Sequence, residues 1–271
     1  MTELDHLLGV LALEPTGEGT WRASSIEFGG SPVVFGGQLL AQSIMAGAAV
    51  DPTKELKSVH TVFARGASLT APLELGTDVM QTGRTFASAS VSVTQGDRLC
   101  SRSLVVLHAP DPDLITHQTD RPAAMSPEEA VASVHGPDYW EIRTVGGVDL
   151  GDPDAIGPPE LDIWTRFVGA PENPTINQAL LAFASDGFLI GTAMRPHAGV
   201  GQSMAHHTID TNVITHTLTF HAPLSAGGWM LLRHESPVAG RGRSYGRAHV
   251  YSEDGTLVAS FVQENMIRAF R

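Results

Sequence analysis

The stretch PTINQALLAFASDGFLI, Pro174 to Ile190, decides how the rest of the chain is read. Pro174 suits the first turn of a helix, where its missing N–H is not needed. Leu180, Leu181, Phe183, Ala184, Phe188 and Leu189 recur at spacings of three and four, which predicts a helix with a broad apolar stripe, buried on most sides. That helix carries one carboxylate, Asp186. An unpaired charge in such surroundings is costly, so an acid there must either be hydrogen-bonded or have its pKa shifted, which is one way to make a catalytic carboxylate. The competing reading is that Asp186 simply ends the helix, with Gly187 in a left-handed cap.

Working outward from this helix, the chain repeats itself. Before it stands the strand-like ELDIWTRFVG, and after it come NVITHTLTFHAPL, WMLLRHESPVAG, RSYGRAHVYSEDG and TLVASFVQENMIR, four more strands. The first part of the chain follows the same order. GTWRASSIEF alternates like a strand, SPVVFGGQLLAQSIMAGAAV continues as a small-residue helix, and four β-type runs lie between Leu56 and His108. In one of them Ser88, Ser90, Ser92 and Thr94 alternate with Ala87, Ala89, Val91 and Val93, one face wet and one packed. Phe63 and Phe220 lie 157 residues apart, as do Gly83-Arg84 and Gly240-Arg241. One strand, helix, four-strand module is therefore used twice. A helix apolar nearly all round must be wrapped by its sheet, and two such modules fused edge to edge give an α+β double hotdog, each antiparallel sheet curled around a central helix. The expected division is an N-terminal module over 1–108, a linker over 109–160 rich in Pro, Asp and Gly, and a C-terminal module over 161–271. The linker is expected to hold one short helix near Ser126 and the strand-like YWEIRTV, and MTELDHLLGVLALE reads as a short docked helix.

Composition narrows the partners. Seventeen Lys and Arg against 29 Asp and Glu give a net charge of −12, which argues against holding nucleic acid or anionic membrane by the overall field. The single cysteine, Cys100, cannot form an intramolecular disulfide, and the N-terminus has acids where a secretory signal has bases. A cytoplasmic setting is expected, with no membrane span, since no apolar run approaches about 18 residues.

VFGGQLLAQ at 34–42, HTVFARG at 60–66, NQALLAFASD at 177–186, LTFHAPL at 218–224 and DGTLVASFVQENMIR at 254–268 resemble the acyl-CoA thioesterase II family. The resemblance runs over most of the chain and implies two fused hotdog domains that hydrolyse a fatty acyl-CoA to fatty acid and CoA. It implies a catalytic Asp after the second helix, a Thr or Ser on the next strand and a Gln on the last, holding and activating a water with no covalent intermediate. Here the acid falls on Asp186 and the amide on Gln263. The hydroxyl position falls on Val213, a departure from the family. Side chains two apart share a face of a strand, so Thr211, Thr215 and Thr217 are expected to point as Val213 does, and Thr215 is the expected stand-in.

Thioester hydrolysis also needs donors aimed at the oxygen of the tetrahedral intermediate, and the free N–H groups at the start of the first central helix suit that task. Gly36 and Gly37 there would let substrate approach closely, or simply allow tight packing. Arg241 and Arg243, with Arg247, form a basic patch that either meets CoA phosphates or is simply a solvated turn and strand face. No acid occupies the matching position of the first module, so one working site per chain is expected, in a homo-oligomer, dimer or tetramer. No cofactor and no metal site are expected. Gly242-Arg243-Ser244-Tyr245-Gly246 matches the nucleophile-elbow pattern, but a strand follows it instead of a helix. His60 and His221 read as structural or pocket-lining, and His216 as an ordinary strand histidine. Two readings from other classes remain, a catalytically weak acyl-CoA or acyl-chain binding protein and a hotdog enoyl-CoA hydratase.

Overall fold

The computed structural model describes residues 3–132 and 137–270. In chain order it contains α1 (Glu3–Leu11), β1 (Glu14–Gly17), β2 (Thr20–Ala23), α2 (Gly36–Ala48), β3 (Glu55–Phe63), β4 (Leu73–Thr82), β5 (Phe86–Gln95) and β6 (Arg98–His108). Then follow β7 (Val131–Ala132), β8 (Trp140–Thr144), β9 (Glu160–Phe167), α3 (Pro174–Ser185), α4 (Leu189–Met194), β10 (Ile209–Phe220), β11 (Met230–Gly240), β12 (Arg243–Ser252) and β13 (Leu257–Ala269). All described strands join one sheet in the order β1-β2-β4-β5-β6-β3-β10-β13-β12-β11-β9-β8-β7. Read from its centre, β2-β4-β5-β6-β3 mirrors β9-β11-β12-β13-β10. This is the expected double hotdog, and β5 and β12 start and end 157 residues apart. The seam is the antiparallel pair β3 and β10, from Thr215↔Val62 to Thr219↔Ser58.

The alternation in β5 is realised as predicted. Ala87, Ala89, Val91 and Val93 are fully buried against the helices, while the serines face outward. Helix α2 needs its small residues, since a Cβ on Gly47 would lie 3.0 Å from the Val105 methyls. Its buried glutamines fasten what surrounds it. Gln38 accepts from Ile26 N and donates to Ser24 O, and Gln42 donates to Val10 O and Ser24 O. That is also why GTWRASSIEF is a strand only over Thr20–Ala23: from Ser24 onward the backbone is bonded to α2 instead of the sheet.

Two further expectations are corrected. The helix beginning at Pro174, capped by Asn173 accepting from Ile176 N at 3.0 Å, does not run to Ile190. It ends with Asp186 as a right-handed C-cap, Gly187 does not adopt positive φ, and α4 starts separately at Leu189. The break lets Leu189 seat on β12, where a Cβ on Gly246 would lie 2.6 Å from Leu189 Cδ2. Near Ser126 there is a single turn in place of a helix, with Ser126 N donating to Glu129 Oε2, before the chain passes into β7. The stretch expected as linker adds β7 and β8 to the sheet edge beside β9 and is fastened by Trp164 Nε1 to Met125 O and by Trp140 Nε1 to Thr165 Oγ1. Among the described residues, no helix is long and apolar enough to cross a membrane.

Candidate active site

The last turn of α3 packs against the first turn of α2. A Cβ on Gly37 would overlap the carbonyl oxygen of Phe183 and lie 2.5 Å from the Phe35 ring, and one on Gly36 would lie 2.6 Å from Asp186 Oδ2. The two glycines therefore let the helix ends meet with a carboxylate between them. Asp186 keeps only 7 % of its surface exposed. It sits where the N–H groups of the first turn of α2 lie outside the helical ladder, a favourable place for negative charge.

From the sheet side the carboxylate is held by β13 and β10. Gln263 and His216 are register partners on these strands, both facing inward and both fully buried. Gln263 Nε2 donates to Asp186 Oδ1 at 2.7 Å and lies 3.2 Å from His216 Nδ1. His216 Nε2 lies 3.0 Å from Ser185 Oγ, which donates to Ala182 O at 2.9 Å. His216 Nδ1 is 3.7 Å from Asp186 Oδ1, too far for a hydrogen bond. Gln263 Oε1 is buried and has no partner.

The structure thus brings Asp186, Gln263, Gly36 and Gly37 together, and leaves Thr215 outside. A β-bulge between Val213 and Thr215 shifts the register against β13, so that Val213 pairs with Asn265 and Thr215 with Glu264. The extra residue, Ile214, reverses the facing of everything after it. Thr211 remains inward with Val213, whereas Thr215 and Thr217 point outward, Thr215 Oγ1 donating to Glu264 Oε2 at 3.3 Å and Thr217 bonding His60 across the seam at 2.6 Å. The inward place expected for Thr215 is filled by His216. Opposite Val213, the buried Asn265 Oδ1 has no partner.

Asp186 opens into a cleft of about 1760 Å³ bounded by the loops before α2 and after β3, by β7 and β8, and by residues leading into β10. Its apolar wall is aromatic. Phe28, Phe35 and Trp140 line it and pack with the fully buried Phe183, ring centroids 4.9 to 5.6 Å apart, Trp140 coming from the stretch read as linker. Arg241 and Arg243 are not in this cleft. Arg241 and Gly242, both with positive φ, form the two-residue hairpin turn joining β11 to β12. Arg241 and Arg243 border a separate depression of about 520 Å³ that meets the cleft at Ile214. Arg247 is ion-paired with Glu235, and Ser244 lies buried within β12, accepting from Asn265 Nδ2 at 3.3 Å with no helix after it.

The mirror position of the first module carries no such chemistry. Where β10 and β13 pair His216 with Gln263, β3 and β6 pair Val59 with Val105, both fully buried. His216 and Ser185 were missed in the sequence; for His216 a signal existed, since it and Gln263 occupy repeat positions that hold valines in the other copy.

Residues 25–108 match the family described as Acyl-CoA thioesterase N-terminal domain, and residues 116–267 match Acyl-CoA thioesterase C-terminal domain. The chain is 27% identical to Acyl-coenzyme A thioesterase 8 of Rattus norvegicus over 96% of this chain and 88% of that protein. It is 26% identical to Acyl-CoA thioesterase 2 of Haemophilus influenzae over 98% of each. Among solved structures, the tesB protein of Mycobacterium avium subs paratuberculosis shares its fold at a TM-score of 0.83, with 24% identity over 97% of this chain and 99% of that one.

Proposed function

Since the chain belongs to the acyl-CoA thioesterase family, we propose that it hydrolyses acyl-CoA thioesters to free acid and CoA, with Asp186 activating the attacking water and Gln263 holding it. The observation that carries this reading is the buried Asp186–Gln263 pair wedged against the N-terminus of α2 at the floor of a large, aromatic-walled cleft. Gln263 occupies Asp186 Oδ1, so Oδ2 serves as the base. Water oxygen bonds to the thioester carbonyl carbon while its proton passes to Asp186 Oδ2. The tetrahedral oxyanion is met by the first-turn N–H groups of Gly36 and Gly37. The carbon–sulfur bond then breaks and the departing thiolate takes the proton back, returning the carboxylate with no covalent intermediate. The acyl group lies along the wall of Phe28, Phe35 and Trp140, and CoA runs over Ile214 so that its phosphates reach Arg241 and Arg243.

One observation favours a weaker catalyst that mainly binds acyl-CoA: no strand hydroxyl stands at Val213, and Thr215 faces away. Thiol release followed with a disulfide dye, for acyl-CoAs of increasing chain length, separates the readings. Hydrolysis predicts release that falls at least about 10³-fold in Asp186→Asn, the scale of losing a principal catalytic group. Saturable binding without release at any chain length supports the binding protein. Consumption of an enoyl-CoA with the thioester intact supports a hydratase.

A further inference from the structure

We propose that His216 is a positioning residue of this site, fixing the Gln263 amide so that its nitrogen stays on Asp186 Oδ1 and holds the carboxylate in place. The inference rests on the hydrolase reading above, and it follows from the direction in which the buried hydrogen bonds run. Asp186 Oδ1 can only accept, so the atom of Gln263 2.7 Å away must be the nitrogen, because an amide turned over would set two acceptors against each other. The second N–H of that nitrogen then points to His216 Nδ1 at 3.2 Å, which must present a lone pair. His216 therefore carries its proton on Nε2 and donates it to Ser185 Oγ at 3.0 Å, and Ser185 passes its own hydrogen to Ala182 O at 2.9 Å. Every donor in the chain is used once. Within this network of Asp186, Gln263, His216 and Ser185, the buried atom left without a partner is Gln263 Oε1.

The imidazole is itself clamped. It stacks on Phe261 with centroids 5.4 Å apart and planes 17° apart, and Phe261 is backed edge-on by His234. None of these atoms needs to touch substrate. Their effect is to remove rotational freedom from the Gln263 amide. That matters more in this chain because Val213 supplies no hydroxyl to share the water. The valine pair Val59 and Val105 at the mirror position shows that the sheet packs there without polar groups, so packing alone does not require an imidazole.

The test compares His216→Phe with His216→Asn. Phenylalanine keeps a ring on Phe261 but offers nothing to Gln263, whereas asparagine gives up the ring and restores an acceptor near the Nδ1 position. Positioning predicts that His216→Phe lowers kcat about 10- to 100-fold with KM within about twofold, the usual scale for losing an orienting partner. It also predicts that His216→Asn recovers most of that loss, whatever the order of the two melting temperatures. A phenylalanine variant at least as active as the asparagine one overturns it. A second measurement is independent of turnover: ring nitrogen NMR shifts of His216 in the wild-type protein. Protonated Nε2 with bare Nδ1 supports the arrangement, and protonated Nδ1 overturns it. Absent thiol release in the wild type would count against the hydrolase reading, while these shifts would still decide the positioning.

Discussion

One methyl group added at Gly36, and one added at Gly37, should damage this protein in different ways. At Gly36 the new Cβ would stand 2.6 Å from Asp186 Oδ2, and ordinary contact begins near 3.4 Å, so the carboxylate must move by about 0.8 Å. The obstacle is the end of a side chain, which can turn aside, so stability should change by under about 1 kcal/mol. The same turn pulls Asp186 off its 2.7 Å bond to Gln263 and away from the first turn of α2. A displacement near 1 Å at reacting groups costs on the order of 10²-fold in rate, or ~3 kcal/mol of barrier. At Gly37 the obstacle is the Phe183 backbone, which cannot turn aside, so the helices must separate. Overpacking of that kind costs roughly 1–3 kcal/mol or more, and ~2–4 °C of melting temperature per kcal/mol in a chain of this size. Thiol-release kinetics beside thermal melts, for Gly36→Ala and Gly37→Ala, check both. A Gly36→Ala enzyme with kcat/KM within about threefold of wild type would show that the carboxylate's place against α2 is not what drives turnover.

Other outcomes follow from the same geometry. Val213→Thr restores a hydroxyl on the inward face, opposite the unpartnered Asn265 Oδ1; kcat should rise several-fold with little change in melting temperature, and an unchanged kcat would remove the missing hydroxyl as the rate-limiting departure. Reversing charge at Arg241 and Arg243 together should raise KM for acyl-CoA about tenfold and leave kcat intact, and an unchanged KM would place the CoA phosphates elsewhere. Burial holds the His234 imidazole down to about 4 from the ordinary 6.5, against backbone hydrogen bonds at Leu161 and Leu232 that raise it. The unfolded chain therefore takes up a proton that the folded chain refuses, so stability present above about pH 6.5 is lost as pH falls toward 4, about 3 kcal/mol in all. In urea titrations the loss between pH 7 and 5 should exceed that of His234→Asn by ~2 kcal/mol, and equal losses would assign the acid lability to other groups.

The fold was legible because its signals were periodic. The 157-residue offset survives in the strand ends of β5 and β12, and alternation in β5 matches its burial residue for residue. Asp186 could be placed because a strongly periodic helix leads up to it, and Gln263 because the last strand resembles that of the family. Thr215 could not, since the argument from alternation assumes an unbroken ladder and one extra residue at the Val213–Thr215 bulge inverts every face beyond it. His216 was overlooked for the same reason: an even spacing from Val213 put Thr215 inward and the imidazole out. Trp140 belongs to a stretch whose prolines and glycines read as connection, and only the pairing of β8 with β9 brings its ring to the cleft.

The seam between β3 and β10 has a consequence for how the protein could be handled. Gly36 and Phe35 come from one half of the chain, Asp186, His216 and Gln263 from the other, and the halves meet through five paired strand positions, the contact of α2 with α3 and the packing of Phe28 and Phe35 on Trp140 and Phe183. Cutting the chain after His108 would give two fragments, each with a sheet and a helix of its own, neither holding a whole site. Turnover would then report their reunion, making this a natural split enzyme whose signal measures docking of two β-sheets along a single edge.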